Sequence, residues 1–88
     1  MYSILPYTQQ RAKELNVEVF PSTKLSKKID VFKDGIFVTS IGANGMSDYP
    51  TYLVTHGKAY ADERRRLYKI RHQSNVGVAG FYASHLLW

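Results

Sequence analysis

The stretch KKIDVFKDGIFVTSI, from Lys27 to Ile41, decides the fold of this chain. It holds two runs rich in β-branched and aromatic residues, which favour extended strands. Between them stands Asp34-Gly35, a dipeptide that readily adopts the positive φ angles of a two-residue type I′ turn. The stretch therefore predicts a β-hairpin over residues 27–41 with its turn at Asp34-Gly35.

The position of the turn also predicts how the two strands pair. Counted outward from it, Phe32 faces Phe37 and Val31 faces Val38. Both faces of the hairpin then carry apolar side chains. Such a hairpin needs cover on both faces, from helices, from the N-terminal segment or from another molecule.

The chain before the hairpin predicts one helix and one strand. In residues 1–20, good helix formers follow Thr8, whose hydroxyl can cap the helix, and a short β-prone run comes next. Pro21 closes that run and cannot donate to a neighbouring strand, which is typical of an edge strand. The sheet is therefore expected to be a hairpin or a three-stranded antiparallel sheet.

After the hairpin the sequence predicts three further helices. Ser47 or Asp48 can cap the first, and Gly57 separates it from KAYADERRRLYKIRH, the longest helical segment. The run from Ser74 to Gly80 is expected to end this helix before the last helix begins. We expect one α+β domain over residues 1–88, with two to four short helices packed on the sheet. The helices are predicted at 48–56, 58–72 and 81–88.

Composition limits the classes of function. The 88 residues carry twelve Lys and Arg against seven acids, a formal net charge of +5, which favours polyanionic partners. Cysteine is absent and the three histidines are far apart, so neither a metal site nor another cofactor is expected. Without a signal peptide or a membrane-spanning run, we expect a soluble, intracellular chain with no membrane partner.

Catalysis finds little support in the sequence. There is no cysteine nucleophile, no GxSxG elbow and no spacing of acids and histidines that is typical of a metal centre. Ser84 stands beside His85, but adjacent residues on a helix point about 100 degrees apart. We therefore expect neither enzymatic activity nor a small-molecule substrate.

The predicted helix 58–72 is the main functional candidate. Its outward arc is basic and contains one acid, Asp62, so we expect little pairing within the helix and a positive field open to phosphate. The alternative is a solvated face whose cations only keep the helix soluble. The candidate contacts to nucleic acid or another partner are Lys58, Arg65, Arg66, Lys69 and His72, with Lys27 and Lys28 as a second patch.

Arg64 and Arg71 form a separate pair, because they lie seven residues apart within the apolar arc of the same helix. A charge in that position must be paired or must extend to water. One interpretation is internal pairing with Asp48 or Glu63 together with stacking on tyrosine rings. The other interpretation is an anion-binding notch.

The C-terminal stretch GFYASHLLW has an unusually high apolar content. Such a tail is expected to dock, either over the hairpin of its own chain or into a partner. The candidate hydrophobic docking residues are Phe81, Tyr82, Leu86, Leu87 and Trp88.

Taken together, KKIDVFKDG, SIGANGMSDYPTYL, ADERRRLYKIRH and GFYASHLLW resemble an uncharacterised family of short basic proteins encoded by large double-stranded DNA viruses and tailed phages. The resemblance covers Ser22 to Trp88. It implies a viral setting, in the host cell interior or the virion, and no mechanism, because that family has no established activity. The pieces that carry it are Ile41-Gly42-Ala43, Asp48-Tyr49-Pro50-Thr51-Tyr52, Arg64-Arg65 with Tyr68, Arg71-His72 and Leu87-Trp88.

Three functions remain open at this point. The first is a non-catalytic, virus-encoded accessory protein that contacts nucleic-acid phosphates through the basic helix. The second is a minor capsid, cement or scaffold protein whose apolar surfaces bind larger viral structural proteins. The third is a phage antagonist of a host defence enzyme, although the chain offers no acidic surface that mimics DNA.

Overall fold

A computed structural model describes residues 2–74 and 77–88. The described residues form one three-stranded sheet and four helices. The strands pair antiparallel in the order β1-β2-β3, so the α+β class and the three-stranded alternative are confirmed. In chain order the elements are α1 (Pro6–Leu15), β1 (Glu18–Pro21), β2 (Lys27–Lys33), β3 (Ile36–Ala43), α2 (Tyr49–Thr55), α3 (Lys58–Arg71) and α4 (Val78–Leu86).

The hairpin turn is the predicted one. Asp34 and Gly35 have φ angles of 52° and 78°, and Phe32 pairs with Phe37 as expected. The pairing predicted for Val31 is wrong, because a bulge between Val31 and Phe32 shifts its partner to Thr39. An extra residue on one strand moves every later pair by one position, and a turn-based count cannot anticipate it.

The bulge completes the hydrophobic core. It pairs Ile29 with Ile41, and both side chains are buried together with Val31. Leu86 and Leu87 pack against this face and are fully buried, so the C-terminal tail docks on its own sheet. The buried core cluster is Ala12, Val17, Val19, Ile29, Val31, Ile41, Leu86 and Leu87.

Helix α1 begins two residues before the predicted cap. Pro6 occupies its first turn, where a missing N–H is tolerated, and Leu5 precedes it without a side-chain cap. Thr8 is not the cap: its hydroxyl is fully buried and donates to the Leu86 carbonyl at 2.8 Å. That hydrogen bond ties the first helix to the last.

The start of α2 agrees with the prediction, and the start of α4 does not. Asp48 caps α2 as predicted, accepting a hydrogen bond from the Thr51 amide at 3.0 Å. Helix α4 begins at Val78 and not at residue 81, so Gly80 lies inside the helix, where it is buried. Tertiary packing overrides the low helix propensity of this glycine. Of the predicted break over 74–80, residues 75 and 76 lie outside the described residues.

One face of the sheet keeps exposed aromatic side chains. Phe32 lies between Phe20 and Phe37, with ring centroids 5.5 and 5.6 Å away, and the two outer rings are about half exposed. The expected cover on both faces is therefore incomplete within this chain. Among the residues described, no helix combines the length and apolar character needed to cross a membrane.

Candidate nucleic-acid interface

The outward arc of α3 is more neutral than the sequence predicts. We call Lys58, Asp62, Glu63, Arg65 and Arg66 its outer face. Lys58 and Arg65 share Asp62, with N–O distances of 2.6 and 3.5 Å, and Arg66 reaches Glu63 at 2.5 Å. The expectation of little pairing within the helix is therefore wrong, because residues three and four apart are neighbours on a helix surface.

The outer-face carboxylates and Arg65 are engaged by hydrogen bonds, by opposite charges and by an aromatic ring. Hydrogen bonds from Lys58 and Tyr49 hold the pKa of the Asp62 carboxyl below its usual value. Arg66 does the same to the pKa of Glu63. The Arg65 guanidinium lies over the Tyr49 ring, 4.2 Å from its centroid, which occupies this cation further.

Lys69 and His72 lie at the end of α3, and neither forms an ion pair with a carboxylate among the described residues. The Lys69 ammonium donates to the Ser84 hydroxyl at 3.1 Å, and burial, together with Arg65 and Arg11, lowers its pKa. His72 follows the last helical residue and stacks on Tyr68, with ring centroids 4.2 Å apart.

The inner side of α3 faces a cavity of about 440 Å³. Its opposite wall comes from the start of β2, the end of β3 and the loop that leads into α2. This volume lies within the range of roughly 300–1,000 Å³ that is usual for small-ligand sites. The cations and aromatic rings that bear on its chemistry are Lys27, Arg64, Arg71, His72, Tyr52, Tyr68 and Trp88.

Arg64 is the central cation of this cavity. It is half-buried, and its guanidinium carbon lies 5.7 Å from the centroid of the Tyr52 ring, so the stacking interpretation is correct. Pairing with Asp48 or Glu63 is wrong, because those carboxylates bind Lys28 and Arg66 instead. The Arg64 Nε is buried and has no hydrogen-bond partner within the described residues.

Arg71 and Lys27 add exposed positive charge to the same cavity. Seven residues separate Arg64 from Arg71, which is about 10 Å along the helix axis and within reach of two long side chains. Neither Arg71 nor Lys27 pairs with a carboxylate in the part of the chain that the structure describes. The interpretation of Arg64 and Arg71 as an anion-binding notch therefore stays open.

Aromatic rings pack together on the side of α3 that lines the cavity. Tyr68 is buried between two rings: Trp88 stacks on it at 4.4 Å and 5° between planes, and His72 lies at 4.2 Å and 24°. Burial raises the pKa of the Tyr68 hydroxyl. Since both faces of Tyr68 are occupied, a further planar group can stack only on Trp88 or His72.

Lys28 does not belong to an exposed second patch, and this part of the prediction is wrong. Its ammonium is buried and lies 2.9 Å from Asp48, which also accepts a hydrogen bond from the Tyr2 hydroxyl at 2.7 Å. Burial raises the pKa of Asp48, but hydrogen bonds from Thr51, Lys28 and Tyr2 outweigh it, and the net pKa is lowered. Both residues form part of the cavity wall, and of the predicted second patch Lys27 alone is exposed.

The apolar tail divides between core and surface. Leu86 and Leu87 lie in the core of their own chain, so for these two residues docking on the chain's own hairpin is confirmed and docking into a partner is wrong. Tyr82 and Trp88 are half-buried, and Phe81 is 46% exposed. Over residues 2–74 and 77–88, no cluster of three or more His, Asp or Glu could hold a metal ion.

The sequence offered Tyr52 and Tyr68 of the cavity only as possible stacking partners of the arginines, and Trp88 was assigned only to docking. A usable signal was present in α3, where Arg64, Tyr68 and Arg71 recur at helical spacing as cation, aromatic and cation. The segment from Gly42 to Met46 contributes Gly42, Ala43 and Met46 to the cavity lining. Its place in the cavity wall depends on contacts between distant parts of the chain, which spacing does not reveal.

In comparisons with known proteins, no protein-family model, no curated protein and no solved structure matches this chain significantly. The resemblance to short viral proteins stays a prediction.

Proposed function

We propose that this protein is a non-catalytic accessory protein that binds nucleic acid through its phosphates, at the cavity face of α3. We define the cavity face as Arg64, Arg71 and His72 together with Lys27 of β2. One observation carries the proposal: among the described residues Arg64, Arg71 and Lys27 have no carboxylate partner, whereas Lys58, Arg65 and Arg66 do. The proposed phosphate contacts therefore move from Lys58, Arg65 and Arg66 to Arg64 and Arg71, while His72 and Lys27 keep the role that the sequence predicts.

The chemistry of the cavity face suits phosphate. Arginine presents a planar fork of donors that matches phosphate oxygens, and its hydrogen bonds to an anion are among the stronger ones in proteins. A buried donor without a partner costs roughly 1–3 kcal/mol, so Arg64 gains from an incoming oxygen if its side chain shifts to bring Nε to the cavity surface. These contacts recognise the backbone and imply no reading of base sequence.

The charge distribution supports the same partner. A net charge of +5 attracts polyanions over distances set by the ionic strength, and phosphate contacts release condensed counterions. The viral setting and the role of an antagonist rest on the resemblance alone and stay predictions.

The test is binding of labelled single-stranded and duplex DNA to the purified protein over a series of salt concentrations. We expect affinity to fall as salt rises, with a slope reduced by about 0.7 for each single-strand phosphate contact that a variant loses. Arg71→Glu should weaken binding about tenfold or more at low salt, and the matched variant Arg66→Glu should weaken it much less. Equal losses in the two variants, or no binding by the folded wild type at low salt, would exclude the proposal.

A second candidate is the assembly protein of a larger particle, and the exposed aromatic face of the sheet favours it. Phe20 and Phe37 are 52% and 47% exposed, and Ile36 beside the turn is 70% exposed. Apolar surface of this kind often marks an interface with another protein. Sedimentation in high salt separates the two functions: apolar assembly should persist there and should be lost in Phe37→Ser, whereas phosphate binding should be screened.

A further inference from the structure

We propose that the cavity beside α3 is a pocket for the phosphomonoester of a nucleotide, either free or at the end of a nucleic-acid strand. This rests on the proposed function in taking the anion to be that of a nucleotide. It goes further by assigning a discrete ligand to the cavity, in addition to contacts along a phosphodiester backbone.

The charge of the cavity favours a monoester over a diester. Arg64, Arg71 and Lys27 bring to one cavity three positive charges that have no carboxylate partner among the described residues, and the carboxylate in its wall, Asp48, is already neutralised by Lys28. A phosphomonoester carries roughly −1.5 to −2 charge at neutral pH, whereas a phosphodiester carries a single charge. The terminal group therefore matches the cation cluster better than an internal phosphate does.

The donor geometry is also suited to a single anion. The Arg64 side chain is half-buried beside the Tyr52 ring, and its Nε is buried without a partner among the described residues. Arg71 and Lys27 are exposed and can move toward a ligand from the rim. One half-buried cation and two mobile ones can enclose a compact anion with three free oxygens.

The remaining wall offers a place for a base. Trp88 and His72 flank Tyr68 as the outer members of the stacked group, and both line the cavity. Stacking on aromatic side chains contributes to the binding of unpaired bases whatever their identity. A cavity of about 440 Å³ leaves room for a sugar and base beyond the phosphate.

The test compares the affinity of one short single strand with and without a terminal phosphate, by fluorescence anisotropy, using the full chain. Adding the phosphate should tighten binding about tenfold, and a free nucleoside monophosphate should compete where the nucleoside does not. Similar competition by the nucleotide and the phosphorylated strand would identify the free nucleotide as the source. Much stronger competition by the strand would identify its end.

Variants locate the effect. Arg71→Gln and Arg64→Lys should each remove most of the phosphate-dependent gain, because the first deletes a charge and the second keeps the charge but loses the planar fork. Arg66→Gln, on the outer face, should preserve the gain. Arg71 is exposed, so its substitution does not endanger the fold, and melting curves verify this for each variant.

The outcomes separate this inference from the function on which it rests. Binding of DNA with no dependence on a terminal phosphate would overturn the pocket and leave the backbone-binding function in place. Competition by inorganic phosphate equal to that by the nucleotide would overturn the assignment of a nucleotide. Failure of every strand and nucleotide to bind the folded protein would overturn both proposals.

Discussion

The two sides of helix α3 hold arginines in opposite situations. On the outer face, Arg66 is exposed and pairs with a carboxylate one turn away. On the cavity face, Arg64 is half-buried, stacked on an aromatic ring, and lacks a carboxylate partner among the described residues. The difference shows that the number of cations on a helix overstates the positive charge that is left without a carboxylate partner.

The support behind the two sides differs as well. The cavity face is backed by a buried ion pair, Lys28 with Asp48, and by a close packing of Gly42 against Leu87. The outer face is held by contacts within its own helix and by Tyr49. Substitutions at Lys28, Asp48 or Gly42 should alter both the fold and the site. Substitutions on the outer face should alter neither.

The largest effect is expected from Asp48→Ala. This change leaves the Lys28 ammonium buried without its partner, which costs about 3–5 kcal/mol of unfolding free energy. The domain as a whole has only about 4–13 kcal/mol, so much of its stability should disappear in urea denaturation. The double variant Lys28→Met, Asp48→Asn should recover most of it, because both charges leave and the helix cap remains. A stable Asp48→Ala protein would show that the pair does not support the cavity wall.

A smaller effect is expected from Gly42→Ala. Gly42 has a φ of 81°, and an added Cβ would lie 2.9 Å from Leu87 Cδ1. Backbone strain and overpacking together should cost about 2–4 kcal/mol. Gly45→Ala is the matched control, since its φ is 91° but its Cβ would meet nothing within 4 Å. It should cost about 1 kcal/mol in the same denaturation measurement, and equal costs would contradict the close packing.

Acid should destabilise the cavity side through Asp48, whose pKa is lower in the folded protein than in the unfolded chain. The unfolded chain then binds the proton more strongly, so this contribution to stability is complete above the unfolded pKa of about 3.9. It is lost as pH falls through the lower folded pKa. Unfolding free energy measured from pH 6 downward should therefore decrease in acid, and Asp48→Asn should flatten that decrease. High salt should leave the Asp48 contribution largely intact, because the pair is buried.

The smallest effect is expected on the outer face. Arg66→Gln removes an exposed ion pair with Glu63, and such pairs contribute little to folding. We expect no measurable change in the melting temperature and little change in DNA affinity. Arg71→Gln should likewise keep the melting temperature but should lower DNA affinity, and this contrast is the direct comparison of the two sides.

Local sequence was sufficient to predict the elements of this fold. The turn at Asp34-Gly35 and the cap at Asp48 were predictable because their signals lie within three residues of their effects. Contacts between distant residues were not. The Thr8 hydroxyl finds its acceptor 78 residues away, and Lys28 finds Asp48 at a separation of 20 residues.

The candidate site was predictable only in part, for the same reason. The positive charge of α3 and the special position of Arg64 and Arg71 were visible on a helical wheel. The pairing of Arg66 with Glu63 could have been predicted from their spacing of three residues on one helix, but the wheel could not show that the loop after β3 lines a cavity beside Arg64. That placement depends on tertiary packing.

The central claim is that phosphate reaches the cavity face and not the outer face of α3. Nuclear magnetic resonance tests it most directly by following the arginine Nε–H signals while single-stranded DNA is added. The signals of Arg64 and Arg71 should shift, and that of Arg66, which donates to Glu63 at 3.1 Å, should stay in place. A shift of Arg66 with Arg64 and Arg71 unchanged would contradict the account.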